Sequence, residues 1–431
     1  MIETIKNAWR VKELRNKILF TLLIVAIFRV GSVIPVPFVD VNALGNSTTT
    51  NEFFSYLSIL TGGGLEYGAL FAMSVTPYIN ASIIIQLLCV AIPALERLSK
   101  EGEEGQKKLA TITRYTTVGL SLIQGTAYFF YLKNSGYIVS SIAASTGMTI
   151  FAAFVMILAF TAGSALVMWL GEQIDVKGIG NGISILLFAG ILSRGPQLGE
   201  FIFYNFNDHK LEVIGLVLAF LIVIGFIVWM TNAERRIPIQ YAKRVVGNKM
   251  YGGQNTHIPI KVNMSGVMPI IFASSILMLP TMILSFVANV DTADPPTWYK
   301  ALSLFSTRGV FYAVIYFIMI IAFAYFYTTI QFNPVEMANN LRKNGGSIPG
   351  IRPGKPSSDF ISKILSRITL LGALFLSVIA ILPIAMSWTS ETFKSISVGG
   401  TSILIMVGVA LDTVQNLESQ MMMRHYKGFL D

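Results

Sequence analysis

Ten apolar spans divide the chain, near residues 18–34, 74–92, 115–132, 150–170, 180–193, 213–230, 267–288, 310–330, 368–386 and 402–414. The charge between them alternates. The N-terminal segment, the even-numbered connections and the C-terminal tail hold 25 of the 32 Lys and Arg residues, and the odd-numbered connections hold 6. Arg29, inside the first span, is the remaining one. Basic segments resist translocation and are drawn to anionic headgroups, so the basic side is the cytoplasmic one. The pattern predicts an all-α polytopic membrane protein with both termini in the cytoplasm.

Composition agrees and narrows the function. The chain is 53% hydrophobic and 13% charged, whereas roughly a quarter of the residues of a soluble domain are charged. Several spans are shorter than the ~20 residues a perpendicular helix needs, so flanking residues complete them or other helices surround them. Cys89 is the only cysteine, which leaves no disulfide and no thiolate metal cluster. His209, His257 and His425 are scattered. There is no GxxxxGK[ST] phosphate loop, Ser/His/Asp set or paired-carboxylate set, so neither a cofactor nor an enzymatic activity is expected. The net charge of +9 follows from the inside bias alone, although RNA phosphates could use the same surface.

The organisation reads as follows. Residues 1–17 interleave Lys6, Arg10, Lys12, Arg15 and Lys17 with Ile2, Ile5, Trp9 and Leu14, as in an amphipathic helix on the inner surface. A first half, 18–195, ends at an external loop, 196–212. A second half, 213–418, precedes a short tail, 419–431. Two halves of five spans run in opposite directions, the arithmetic of an inverted repeat. Within 53–72, Thr61-Gly62-Gly63-Gly64 interrupts two apolar stretches, so the segment cannot span as one helix. Non-helical backbone at membrane depth needs protein or a water-filled cavity around it. One reading is a re-entrant half-helix in a cavity; the other is an ordinary external loop with apolar residues.

Two basic connections exceed what a helix junction requires. In 231–266, Ile237, Ile239 and Tyr241 alternate before Gly252-Gly253, and Ile258, Ile260 and Val262 alternate after it, predicting a β-hairpin. In 331–367, Asn333-Pro334 signals a helix start and SIPGIRPGKP is rigid and basic. Loops of this length suit the docking of a soluble partner better than mere topological anchoring.

Ionisable residues in the membrane are few: Arg29, Glu172 and Asp412 lie toward span ends. Ion-coupled transporters place such groups at the midplane, so coupled solute transport is disfavoured. The midplane is instead aliphatic, with Val75, Ile79, Ile83, Leu187, Ile271 and Ile405. Any one of these alone reads as packing or a lipid-facing residue. The second span also carries Thr76, Asn80, Ser82 and Gln86, and the seventh Ser274 and Ser275. Such groups face another helix or a cavity, and two polar-faced helices can meet and part.

Ten stretches resemble the bacterial SecY family, the large channel subunit of the Sec protein translocase. They are RVGSVIPVP (29–37), TPYINASIIIQLL (76–88), EGEEGQKKLATITRYTT (101–117), MWLGEQI (168–174), GIGNGISILLFAGI (178–191), YAKR (241–244), IKVNMSGVMPIIFASS (260–275), FNPVEMANNL (332–341), PGIRPGK (349–355) and GGTSILI (399–405). The resemblance implies ten helices around an hourglass pore, with Val75, Ile79, Ile83, Leu187, Ile271 and Ile405 at its constriction. Segment 53–72 becomes a plug centred on Leu60, Thr61, Gly62, Gly63, Gly64 and Leu65. Thr76, Asn80, Gln86, Ser274 and Ser275 fall at a lateral gate between the second and seventh helices. Lys243, Arg244 and Arg352 fall on the docking surface for the SecA motor ATPase and the ribosome with its rRNA. Further implied partners are SecE-like and SecG-like small membrane subunits, unfolded preproteins, signal sequences and anionic lipids of the bacterial plasma membrane. Val75 and Leu187 depart from positions often held by Ile, and the plug matches only loosely. A secondary transporter for a small solute is the alternative of another class, and it lacks a charged midplane anchor here. A purely structural scaffold leaves the glycine-rich segment unexplained.

Overall fold

The computed structural model describes residues 6, 8–45, 58, 61–139, 142, 145–205, 210–241, 244–246, 249–251, 255–286, 296–305, 309–388 and 400–427. In chain order the helices are α1 (Lys12–Gly31), α2 (Val41–Gly45), α3 (Thr76–Ala91), α4 (Pro93–Lys100), α5 (Glu103–Asn134), α6 (Thr146–Lys177), α7 (Gly182–Leu192), α8 (Gly195–Asn205) and α9 (Lys210–Asn232). Strands β1 (Glu234–Tyr241), β2 (Arg244–Val246), β3 (Lys249–Tyr251) and β4 (Asn255–Lys261) follow. Then come α10 (Met268–Phe286), α11 (Thr297–Ser303), α12 (Val310–Gln331), α13 (Pro334–Lys343), β5 (Gly346–Ser347), α14 (Lys355–Ser387) and α15 (Gly400–Lys427).

Each of the ten apolar spans coincides with a helix: α1, α3, α5, α6, α7, α9, α10, α12, α14 and α15. Local chemistry sets several ends. Ile92 takes an extended conformation (φ −109°, ψ 114°) because Pro93 excludes the helical one, and α4 leaves α3 at 103°. At the α6–α7 turn, Asp175 Oδ1 accepts from Gly182 N at 2.7 Å and the Asn181 side chain caps α7 through Ser184 N at 3.0 Å. Helix α7 has 11 residues, a length of roughly 16 Å and too short to cross hydrocarbon alone. It lies inside the protein, with Ile185, Leu186, Leu187, Ala189 and Ile191 buried.

The two halves repeat one packing scheme. In the first, α3 packs on α5, α5 on α6, α6 on α7, and α1 on α6 and α7; α3 also reaches α6. In the second, α10 packs on α12, α12 on α14, α14 on α15, and α9 on α15; α10 also reaches α14. The counterpart of α1 on α6 is α9 on α14, through Phe226 and Phe375 at 5.3 Å between ring centroids. This is the spatial pattern an inverted repeat demands, and it was invisible as sequence similarity. The halves touch through α7 and α15, α3 and α10, and α5 and α10.

The β-hairpin forms: β1 pairs antiparallel with β4, Ile237 opposite Ile258 and Ile239 opposite Thr256. Strands β2 and β3 pair antiparallel with each other, and the turn expected at Gly252-Gly253 lies outside the described residues. The other edge of β1 takes β5, joining the two long connections. Buried Ile237, Ile239 and Ile260 pack with Ala338, Leu341, Ile348 and Ile361, so both loops share one core. Asn333 caps α13 as its sequence signals, its Oδ1 accepting from Val335 N at 3.1 Å and Glu336 N at 3.4 Å.

In four places the described residues add detail to the organisation read from sequence. The N-terminal segment is not one continuous helix: residues 6 and 8–10 are helical, Val11 is a bend, and residues 1–5 and 7 lie outside the described residues. Helix α1 starts at Lys12, and Ala8 and Leu14 are buried with Ile179 and Leu417, because α15 offers a protein face that displaces lipid. Residues 419–427 of the tail continue α15. Much of the connection 196–212 is helical, as α8. In 53–72 the described part from Gly62 onward is a run of turns, not a half-helix. Positive φ at Gly62 (66°), Gly63 (90°) and Gly68 (54°) breaks any helix there.

Candidate functional site

One apolar cluster at the junction of the halves holds most of the aliphatic positions. Val75, Leu187 and Ile405 are buried in it, and Ile79 and Ile271 pack against it. These five come from the start of α3 and from α7, α10 and α15, so both halves contribute. Ile83 is the exception: it is buried, but outside this cluster. The five branched side chains carry no hydrogen-bonding group and no charge, and their contacts are dispersion alone.

The segment from Thr61 to Val75 closes this cluster on one side. Phe71 lies in the cluster and stacks on Phe28 of α1, with ring centroids 6.1 Å apart. Leu70 packs both here and against a second core containing Leu65, Tyr128 and Phe160. The backbone of the segment is satisfied without a helix. Leu70 N donates to Ile34 O and Val36 N to Gly68 O, both at 2.9 Å, Phe71 N donates to Gly31 O at 3.3 Å, and Tyr128 OH donates to Leu65 O at 2.9 Å. Pairing of this kind is what permits irregular backbone within a membrane protein. Tight packing follows from small residues: a Cβ on Gly31 would lie 2.1 Å from the Phe71 ring, and one on Gly163 would lie 2.0 Å from Leu70 O.

The Gly62–Glu66 end of the segment is polar. Arg29 Nη1 donates to Gly62 O at 3.0 Å, and Ser193 Oγ approaches the same carbonyl at 3.4 Å. Glu66 pairs with Arg194, and Ser58 Oγ donates to Glu66 Oε1 at 2.7 Å. Of the expected plug residues, Thr61 is fully buried and Leu65 nearly so, while Leu60 lies outside the described residues. Sequence reading missed Phe28, Phe71, Tyr128, Glu66 and Arg194. Arg29 and Arg194 carried a signal, as cations against the inside bias; Phe71 carried none, being one of 29 phenylalanines.

Helices α3 and α10 touch. Their polar groups differ from expectation in what they bond. Ser274 Oγ donates to Ile271 O of its own helix at 3.0 Å, and Gln86 Nε2 reaches Ser82 Oγ one turn back at 3.5 Å. Local bonds satisfy them at no need of a partner helix. Thr76, Asn80 and Ser275 are half-buried. On the basic side Arg352 is exposed, between Gly350 (φ 79°) and Gly354 (φ 106°), and Ser357 Oγ holds its carbonyl at 2.9 Å. Arg244 lies on β2, and Lys243 is outside the described residues.

Two helical halves meeting at an aliphatic constriction, with a folded segment against it, define a polytopic membrane protein of channel type. The sequence model of the SecY family matches residues 69–414. The chain is 45% identical over 441 residues to the protein translocase subunit SecY of Bacillus subtilis (strain 168), with 100% of both chains covered. It is 41% identical over 444 residues to the subunit of that name from Streptomyces coelicolor, again over 100% of both. The chain belongs to the SecY family. The fold is similar to a solved structure of a protein conducting channel, with TM-score 0.65, 16% identity, and 94% of this chain and 92% of that chain covered. It is also similar, with TM-score 0.63, 17% identity and coverage of 94% and 92%, to a SecY protein whose plug domain is described as stabilising the closed state.

Proposed function

We propose that this protein is the pore-forming subunit of a protein translocase, a passive channel for unfolded preproteins across the bacterial plasma membrane. The observation that carries this reading is the convergence of Val75, Ile79, Leu187, Ile271 and Ile405 on one cluster closed by Phe71. A ring of aliphatic groups lets any sequence slide and, when empty, is narrow enough to dewet and stop ions. Displacing the 61–75 segment opens the path. Parting α3 from α10, at Thr76, Asn80, Gln86, Ser274 and Ser275, opens a side route by which signal sequences and membrane segments reach lipid. Energy comes from outside: a SecA-type motor ATPase or the ribosome docks on the shared core of the two basic loops, at Lys243, Arg244 and Arg352. SecE-like and SecG-like subunits complete the channel, and anionic lipids neutralise its basic face. Solved structures of ribosome-bound Sec61 and Ssh1 complexes share the fold at TM-scores of 0.59 and 0.60, which supports the ribosome as a partner.

Orientation and docking are testable. Single cysteines at Asn134 and Asn340, in a Cys89→Ala chain, should label with an impermeant maleimide from outside and inside respectively. Labelling of both from one side overturns the topology. In vesicles holding equal amounts of assembled channel, motor-driven uptake of a preprotein should fall about tenfold for Arg352→Glu and about threefold for Arg352→Lys, because a guanidinium held between constrained turns binds carboxylate or phosphate bidentately. Uptake of a small solute without any preprotein transport would favour the transporter reading instead. Parent-level rates for Arg352→Glu on motor-driven and ribosome-delivered substrates would leave Arg352 a topological charge only.

A further inference from the structure

We infer that Glu66 and Arg194 form an ionic latch that holds the 61–75 segment against the end of α7 and releases it when α7 shifts. Arg194 is one of few cations on the outer side, and its side chain is only 11% exposed. A cation that deep is costly unless paired, and Glu66, itself 26% exposed, supplies the pair. Ser58 tightens it, donating to Glu66 Oε1 at 2.7 Å while Arg194 Nη2 also contacts Ser58 Oγ. A second arginine, Arg29, pins the same turn through Gly62 O at 3.0 Å. One face of the turn is thus tied to α1 and the other to the chain leaving α7.

That placement couples the latch to the constriction. Helix α7 carries Leu187 and packs on α15, which carries Ile405, so α7 is a joint between the halves. Displacing α7 from the closed ring carries Arg194 away from Glu66. The network is also incompletely satisfied: Arg194 Nε is buried without a partner among the described residues. Such a network is stable only while its geometry holds. At the other end of the segment Ser74 is buried at φ 48°, a conformation a side chain rarely adopts, and the strain is relieved if the segment swings about it.

The inference rests on the reading of 61–75 as a plug, and the experiment separates the two. Purified assembled channel is placed in vesicles and its ion conductance measured without substrate. Glu66→Gln and Arg194→Gln should each raise the leak about tenfold, a shift of about 1.4 kcal/mol in the closed–open equilibrium. The exchange Glu66→Arg with Arg194→Glu should return it to within about threefold of the parent. Leaks at parent level in the single variants overturn the latch, as does an exchange variant that leaks like the singles while melting like the parent. Should the singles fail to assemble, Glu66→Cys and Arg194→Cys in a Cys89→Ala chain can be joined by a cleavable bis-maleimide. Preprotein transport should stop on cross-linking and resume on cleavage; transport through the joined channel at the unjoined rate rejects the proposal. Transport by the unjoined variant tests the channel reading separately.

Discussion

Asparagine at Ile79 and Ile405, combined with Phe71→Ala, is expected to raise the ion leak of the empty channel by roughly tenfold or more over the parent. The physical reason lies in what the cluster excludes. Ile405 is buried and Ile79 packs beside it, so an amide at either place has no protein partner and recruits water. A wetted constriction passes ions. Phe71 is the one aromatic of the 61–75 segment seated in the cluster, stacked on Phe28, and its removal opens the space that the amides wet. Each change alone should leak less than the combination, since the segment still covers a polar ring and the intact ring still dewets without Phe71. Conductance across reconstituted vesicles reads all three. A combined variant no leakier than the parent would place the barrier elsewhere in the molecule.

Gly163→Ala is expected to disturb the same closure from a distance. The added Cβ would lie 2.0 Å from the carbonyl oxygen of Leu70, a backbone atom that cannot rotate away. Either α6 or the 61–75 segment must shift, at a cost of about 1–3 kcal/mol or more. The apparent melting temperature should fall, and the leak should rise because Phe71 follows Leu70 directly. Gly147→Ala, in the same helix with nothing within 4 Å of the new Cβ, serves as control and should be neutral or slightly stabilising. Equal melting of the two variants would show that the segment yields at no cost and is not firmly seated.

Much of the fold was legible in sequence because a membrane constrains sequence directly. Every span had to be apolar, and alternate connections gathered the Lys and Arg, so the helices and the basic loops could be read one residue at a time. The β1–β4 hairpin was equally local, in the alternation of Ile237 and Ile239. So was the α13 cap, in Asn333-Pro334. The resemblance then pointed to the aliphatic positions, five of which the fold gathers into one cluster while Ile83 packs apart.

Only the tertiary structure decided what those residues meet. Periodicity cannot tell a helix buried in protein from one facing lipid when both neighbours are apolar, so the burial of short α7 emerged from packing alone. The conformation of 61–75 depends on carbonyls of Gly31 and Ile34 and on a hydroxyl at Tyr128, partners up to 63 residues away. The same holds for Arg194 against Glu66, 128 residues apart, where sequence marks Arg194 as an unusual cation but does not name its partner. The N-terminal segment followed amphipathic spacing, yet Leu14 turned to Leu417 instead of lipid, because a protein face was available at the other end of the chain. Local chemistry is written residue by residue; pairings across such distances exist only once the chain has closed on itself.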